Sequence, residues 1–180
     1  MDRLKQLVAQ IDAQSLPPVH LWKPDHVGDI DIKIDARGAW FHEGEVIARD
    51  KLVTLFSTIL WFEDFQHYLV TPVEKLAIDV ADVPFLIHQT ELVDGVWIAT
   101  TNTHEQIIIG QEHPVELRQY DGQWLPYVNV RYDLWARLNR SQYVQWVELA
   151  LELQEGLNEE QTAGSKLELQ SGDYSFEVAR

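Results

Sequence analysis

The 180-residue chain contains no cysteine. Disulfides, thiolate nucleophiles and cysteine-ligated zinc are thereby excluded together. Basic residues are scarce too: 14 Lys and Arg stand against 29 Asp and Glu, a formal charge of −15. Long-range repulsion at that charge opposes binding to long nucleic acid or to an anionic membrane surface. A small anion is not opposed in the same way, because cations gathered in a cleft are screened from carboxylates more than about 8 Å away. No apolar run approaches the roughly 20 residues that a membrane helix needs. The first residues, MDRLKQLVAQIDAQ, are charged at positions 2, 3 and 5 and lack the apolar centre of a secretory leader, so a cytoplasmic location is expected.

Catalytic signatures are missing as well. The chain has no Gly-x-Gly-x-x-Gly or Walker lysine pattern, and Ser57, Ser141, Ser165 and Ser171 lie outside any Gly-x-Ser-x-Gly elbow. The seven histidines, at 20, 26, 42, 67, 88, 104 and 113, form no i, i+4 pair and no His-Glu-x-x-His run. No catalytic residue, metal or cofactor is therefore expected. Asp29 and Asp31 share one face of a strand, but that is how a plain solvent-facing strand looks.

What is present is a composition for a folded core, 46% hydrophobic, with seven Trp that must either be buried or line a groove. Leu4, Leu7, Val8 and Ile11 recur at helical spacing and predict a helix over 2–14, stopped by Ser-Leu-Pro-Pro. PPVHLWKPD is an extended connector that Leu21 and Trp22 pin to the protein. From Asp29 the period becomes two, with Ile30, Ile32 and Ile34 alternating against Asp31, Lys33 and Asp35, which predicts a half-buried strand opening a meander. A helix follows on KLVTLFSTILWF, N-capped by Asp50, with Leu52, Leu55, Phe56, Ile59 and Leu60 facing the core. QHYLVT, EKLAIDV, PFLIHQTEL, VWIATTN and EQIIIG read as strands. Asp94-Gly95 and Asp121-Gly122 mark two-residue hairpin turns. A long helix is predicted over roughly 133–155, carrying Leu134, Leu138, Trp146, Val147, Ala150 and Leu153. EGLNEEQTAGS reads as a loop, and KLELQSGDYSFEVAR as a closing hairpin. Without regular β-α-β alternation the class is α+β with antiparallel sheets.

One pattern occurs twice. Gly38-Ala39-Trp40 leads to Arg49 and then Leu52 and Leu55. Gly122-Gln123-Trp124 leads to Arg131 and then Leu134 and Leu138. This predicts a structural duplication with one Arg before a helix in each half. A cation there faces the positive end of the helix dipole, so the arrangement needs a reason. One reason is an anion site, in which helix amides and a guanidinium from each half grip phosphate or carboxylate. The plainer reason is pairing of each Arg with a sheet carboxylate, and the residues alone leave both open. Trp40 and Trp124, each on a hairpin, are candidates to stack on a ligand ring.

The segments GDIDIKIDARGAWFHEGEVIARDKLVTLFSTIL, YLVTPVEKLAIDVADVPF and PYVNVRYDLWARLNRSQYVQWVELA, with a weaker SGDYSF, resemble a bacterial family catalogued as domain of unknown function 1285. The resemblance covers most of residues 17–152. It implies two related sheet-plus-helix lobes, 17–85 and 86–180, the second pleckstrin-homology-like, with a ligand site between them. A nucleotide-type ligand and a signalling role are inferred for that family. Carried onto this sequence, the implied ligand-binding positions are Arg49, Thr71, Glu74, Lys75 and Arg131, then Asn102 and Arg137. Strand alternation keeps Glu74 and Lys75 from sharing one cleft unless the backbone bulges, and Lys75 is the better partner for an anion. The expected function is thus binding of a small anionic, nucleotide-like ligand between the lobes in signalling, with a signalling protein as the expected partner. The alternatives are a peptide-interaction module using a sheet edge, and, with least support, an enzyme using Glu74 as general base.

Overall fold

The computed structural model describes residues 2–155 and 166–180; the loop expected over 155–165 lies almost wholly outside them. Helix α1 (Asp2–Asp12) lays its half-buried stripe of Leu4, Leu7, Val8 and Ile11 on the protein. The prolines after it bring in a single 3-10 turn, Val19–Leu21, anchored by buried Val19. Strands β1 (His26–Ile34), β2 (Trp40–His42) and β3 (Glu45–Val46) form the expected meander. Helix α2 (Asp50–Thr58) leads to a second meander, β4 (Leu60–Glu63), β5 (Gln66–Val70) and β6 (Glu74–Val80). The cap of α2 is Arg49 rather than Asp50, and the helix ends before Leu60, which opens β4 instead. Leu55 points outward, while Val53, Phe56 and Ile59 pack on the core.

The second half contains the meander β7 (Phe85–Val93), β8 (Val96–Thr101) and β9 (Gln106–Ile108), then the meander β10 (Val115–Tyr120), β11 (Gln123–Arg131) and β12 (Leu134–Leu138). Helix α3 (Arg140–Glu155) and a hairpin of β13 (Leu167–Ser171) and β14 (Tyr174–Ala179) complete it. Residues 134–138 are thus strand, not the start of the long helix. Leu134, Ala136 and Leu138 are buried in alternation with Trp135 and Arg137, a period of two that the Leu134/Leu138 spacing masks. The helix starts only after Asn139, whose Oδ1 accepts the Gln142 amide at 2.9 Å.

The two six-stranded sheets run β3-β2-β1-β6-β5-β4 and β10-β11-β12-β7-β8-β9. Numbered from the first strand of each, both orders are 3-2-1-6-5-4. In each, the first strand of the first meander lies parallel to the last strand of the second, β1 with β6 and β7 with β12. The fold is α+β, two-lobed and duplicated. The sheets are mixed rather than purely antiparallel, because the intervening strands supply the long crossover that a parallel pair requires. This wiring does not by itself make the second lobe pleckstrin-homology-like.

The wiring also corrects which Gly-x-Trp segments correspond. Gly38-Ala39-Trp40 joins β1 to β2, and its counterpart joining β7 to β8 is Gly95-Val96-Trp97. Trp40 and Trp97 are both buried. Gly122-Gln123-Trp124 opens β11, a place that Asp64-Phe65 takes in the first lobe. One core runs through both lobes: Ile32, Ile34, Trp40, Leu60 and Ile78 join Phe85, Ile87, Val128, Leu134 and Leu138 in a single cluster. Trp146 of α3 closes it, its ring 5.6 Å from Trp97 and 5.1 Å from Phe176, its indole N–H donating to Thr90 Oγ1 at 3.1 Å.

Candidate functional site

The two arginines expected to meet over one pocket lie at opposite ends of α2. Arg49 is its exposed N-cap, with no ion pair among the described residues. Arg131, from the end of β11, donates through Nη2 to the Ser57 carbonyl at the C-terminal end, 2.5 Å away, and pairs with Glu105 through Nη1. Nine residues at about 1.5 Å rise hold those ends roughly 13 Å apart. A guanidinium at the C-terminal carbonyls sits at the negative end of the helix dipole, where it is favoured. Its side chain is 12% exposed and that of Glu105 11%, so this is a closed, neutral pair. The convergence of Arg49 and Arg131 does not occur.

Asn102 and Arg137 take the same kind of position. Asn102 accepts the Leu86 amide at 3.0 Å and donates to the Gly38 carbonyl at 3.4 Å. Arg137 donates to Asp82 Oδ2 at 2.8 Å and to the Ala36 carbonyl at 2.5 Å, its guanidinium 3.9 Å from the Tyr120 ring centre. Tyr127 also donates to Asp82, and burial together with that carboxylate raises its pKa well above the usual tyrosine value. Asn102, Arg131 and Arg137 therefore each reach from the second lobe to a backbone carbonyl of the first. They fasten the lobes.

Thr71 Oγ1 accepts the Glu74 amide at 3.2 Å, bracing the turn between β5 and β6. Glu74 begins β6 beside His26, half-buried and on the opposite face from Lys75. Trp40 is not on a cleft: it is 1% exposed and stacked on Phe56. Trp124 is a surface residue with the Arg180 guanidinium 4.8 Å from its ring centre.

Lys75 does face a cleft, of about 410 Å³, whose walls include His20, Trp22, Lys23, Trp61 and Glu63. The connector with its 3-10 turn makes one wall, and β4 and β6 make the other. Lys75 pairs with Glu63 and lies 4.3 Å from the Tyr68 ring centre. Lys23 has no acid partner among the described residues. From the second lobe, Tyr132 bonds His20 Nδ1 at 2.7 Å and sets its ring 5.0 Å from that of Trp61, so the cleft borders the seam. Tyr132 holds a left-handed backbone, φ +49°, which is unusual for so bulky a residue. Sequence reasoning missed His20, Lys23, Trp61 and Tyr132, and read Trp22 only as an anchor. The one visible signal was a Trp-Lys pair held between prolines. Among the described residues no group of three or more acids and histidines is placed to hold a metal, and no helix is long and apolar enough to cross a membrane.

Comparison with known proteins matches residues 17–83 to the N-terminal domain of DUF1285, a domain of unknown function, and residues 84–178 to the DUF1285 C-terminal domain. No curated protein matches. A DUF1285 family protein from Silicibacter pomeroyi DSS-3, a crystal structure at 2.50 Å resolution, is 34% identical with a TM-score of 0.80, covering 96% of this chain and 94% of that one. A second, from Shewanella baltica OS155 at 1.40 Å resolution, is 28% identical with a TM-score of 0.54, over 65% of this chain and 90% of that one. With the two family domains matched over residues 17–83 and 84–178 and a solved relative sharing the two-lobed fold, the chain belongs to the DUF1285 family.

Proposed function

We propose that this is a cytoplasmic ligand-binding protein that takes a small anionic, nucleotide-like molecule in the Lys23–Lys75 cleft and passes its occupancy to a partner protein. One observation carries the reading: acids outnumber bases two to one, yet Lys23 has no acid partner among the described residues and shares a cleft with Lys75 and two indoles. A phosphate suits the lysines, and a planar base suits Trp22 or Trp61. Tyr132, bonded to His20 at the rim, couples the cleft to the second lobe, so a ligand displacing that bond alters the seam. The fastening by Arg131 and Arg137 keeps the lobes together meanwhile.

Isothermal titration with AMP, a cyclic dinucleotide, adenosine and inorganic phosphate tests the reading. Heat is expected from a nucleotide and not from adenosine. The pair Lys23→Gln with Lys75→Gln is expected to weaken binding by at least about tenfold, the worth of losing a charge-assisted contact. Silence from every nucleotide at millimolar concentration overturns it. A second reading, peptide addition to a sheet edge, has one observation in its favour: β10 ends its sheet with no further strand laddered to it among the described residues, although its Val115 amide is already taken by the Tyr174 hydroxyl at 2.9 Å. The same double variant should leave peptide capture intact.

A further inference from the structure

A second cleft, of about 470 Å³, opens on the far part of the second lobe, between the β10–β11 turn and the beginning of α3. Its size falls in the range of small-molecule sites, roughly 300–1,000 Å³. Tyr120, Leu125, Tyr143 and Val144 supply apolar and aromatic wall, and Arg137 and Arg140 are the cations that line it. Their states differ. Arg137 is tied through Nε to Asp82 and through Nη2 to the Ala36 carbonyl, and is stacked on Tyr120. With Asp82 it is neutral. Arg140 is exposed and has no acid partner among the described residues.

We propose that this cleft is a distinct site for an amphipathic monocarboxylate, an alkyl or aryl acid whose carboxylate meets Arg140 and whose body lies on Tyr120, Leu125, Tyr143 and Val144. The lining selects a monoanion. Arg140 has no acid partner among the described residues, and Asp121, which lines the same cleft and brings its formal charge to zero, repels a ligand carrying more than one negative charge. A guanidinium matches the two oxygens of a carboxylate in a single plane, and Arg137 is already oriented by its protein partners to keep the wall flat. The apolar wall gives a free phosphate nothing to rest on.

The test uses the full chain and calorimetric titration with octanoate, 1-octanol and inorganic phosphate. Saturable binding of octanoate is expected, without matching heat from the alcohol or from phosphate. Arg140→Gln, on an exposed residue, should preserve the fold and weaken octanoate by about tenfold or more. Val144→Glu, which brings a carboxylate to the wall, should exclude it by repulsion. Lys23→Gln should leave it unchanged, so that loss of the nucleotide reading does not touch this one. The proposal is overturned if octanoate gives no saturable heat at millimolar concentration, if octanol binds equally well, or if Arg140→Gln leaves affinity unchanged.

Discussion

At the scale of single residues, two glycines with the same backbone separate strain from packing. Gly38 and Gly95 hold φ of +78° and +81° in corresponding turns. A Cβ on Gly95 meets nothing within 4 Å, whereas one on Gly38 comes 2.7 Å from Asn102 Nδ2 and 3.3 Å from Leu86 Cδ1. Gly95→Ala is expected to lower stability by about 1 kcal/mol, the cost of a left-handed alanine. Gly38→Ala should lose roughly 1–3 kcal/mol more, because it crowds the junction of the lobes. Urea unfolding of the two variants measures the difference. His67 makes a pH prediction. Burial lowers its pKa from 6.5 to about 4, beside Phe62 and in a cleft that Asp82, Arg118 and Asp133 also line. Between those values the unfolded chain binds a proton that the folded chain refuses, so stability rises with pH across the window and is lost as pH falls from about 6.5 towards 4. His67→Gln should flatten that dependence in thermal melts above pH 5.

At the scale of elements, the two ends of α2 behave oppositely. Arg49→Ala should change stability by only a few tenths of a kcal/mol, since an exposed cation at a helix N-terminus is mildly unfavourable to begin with. Arg131→Met strips the partner from Glu105, itself nearly buried, and should cost about 3–5 kcal/mol. Adding Glu105→Gln removes the stranded charge and should recover much of that loss. A double-mutant cycle in urea reads both. Elements also show what is legible locally. The Ile30-Ile32-Ile34 alternation, the Asp94-Gly95 and Asp121-Gly122 turns and the stripe of α1 depend on neighbours a few residues away, and each stands as read. The stretch Leu134–Leu138 fits a helical and a strand period equally well over five residues. Its pairing with β7 and β11 decides, and those partners are remote in sequence.

At the scale of the molecule, the two lobes share one core and are joined by Asn102, Arg131 and Arg137. Neither sheet can therefore bury its inner face without the other. The full chain is expected to unfold in urea as one cooperative transition, with tryptophan fluorescence and far-ultraviolet dichroism coincident. A fragment of residues 17–83 alone should lack such a transition. Edge protection is likewise a tertiary matter: the Gln14 side chain, just beyond α1, bonds Gln106 of β9 in both directions at 3.1 Å and covers that edge.

The amino-acid sequence by itself determined the α+β class, most strands and turns, the family, and the scarcity of cations that makes an unpaired one informative. These follow from composition and from periodicities read over a few residues. Only the tertiary structure decided that Arg131 and Arg137 are fasteners while Arg49 is an exposed helix cap, that Trp40 is core, and that Lys23 and Arg140 face clefts without an acid partner among the described residues. An ion pair is settled by which groups meet in space, and strands far apart in the chain bring Arg131 to Glu105 and Arg137 to Asp82.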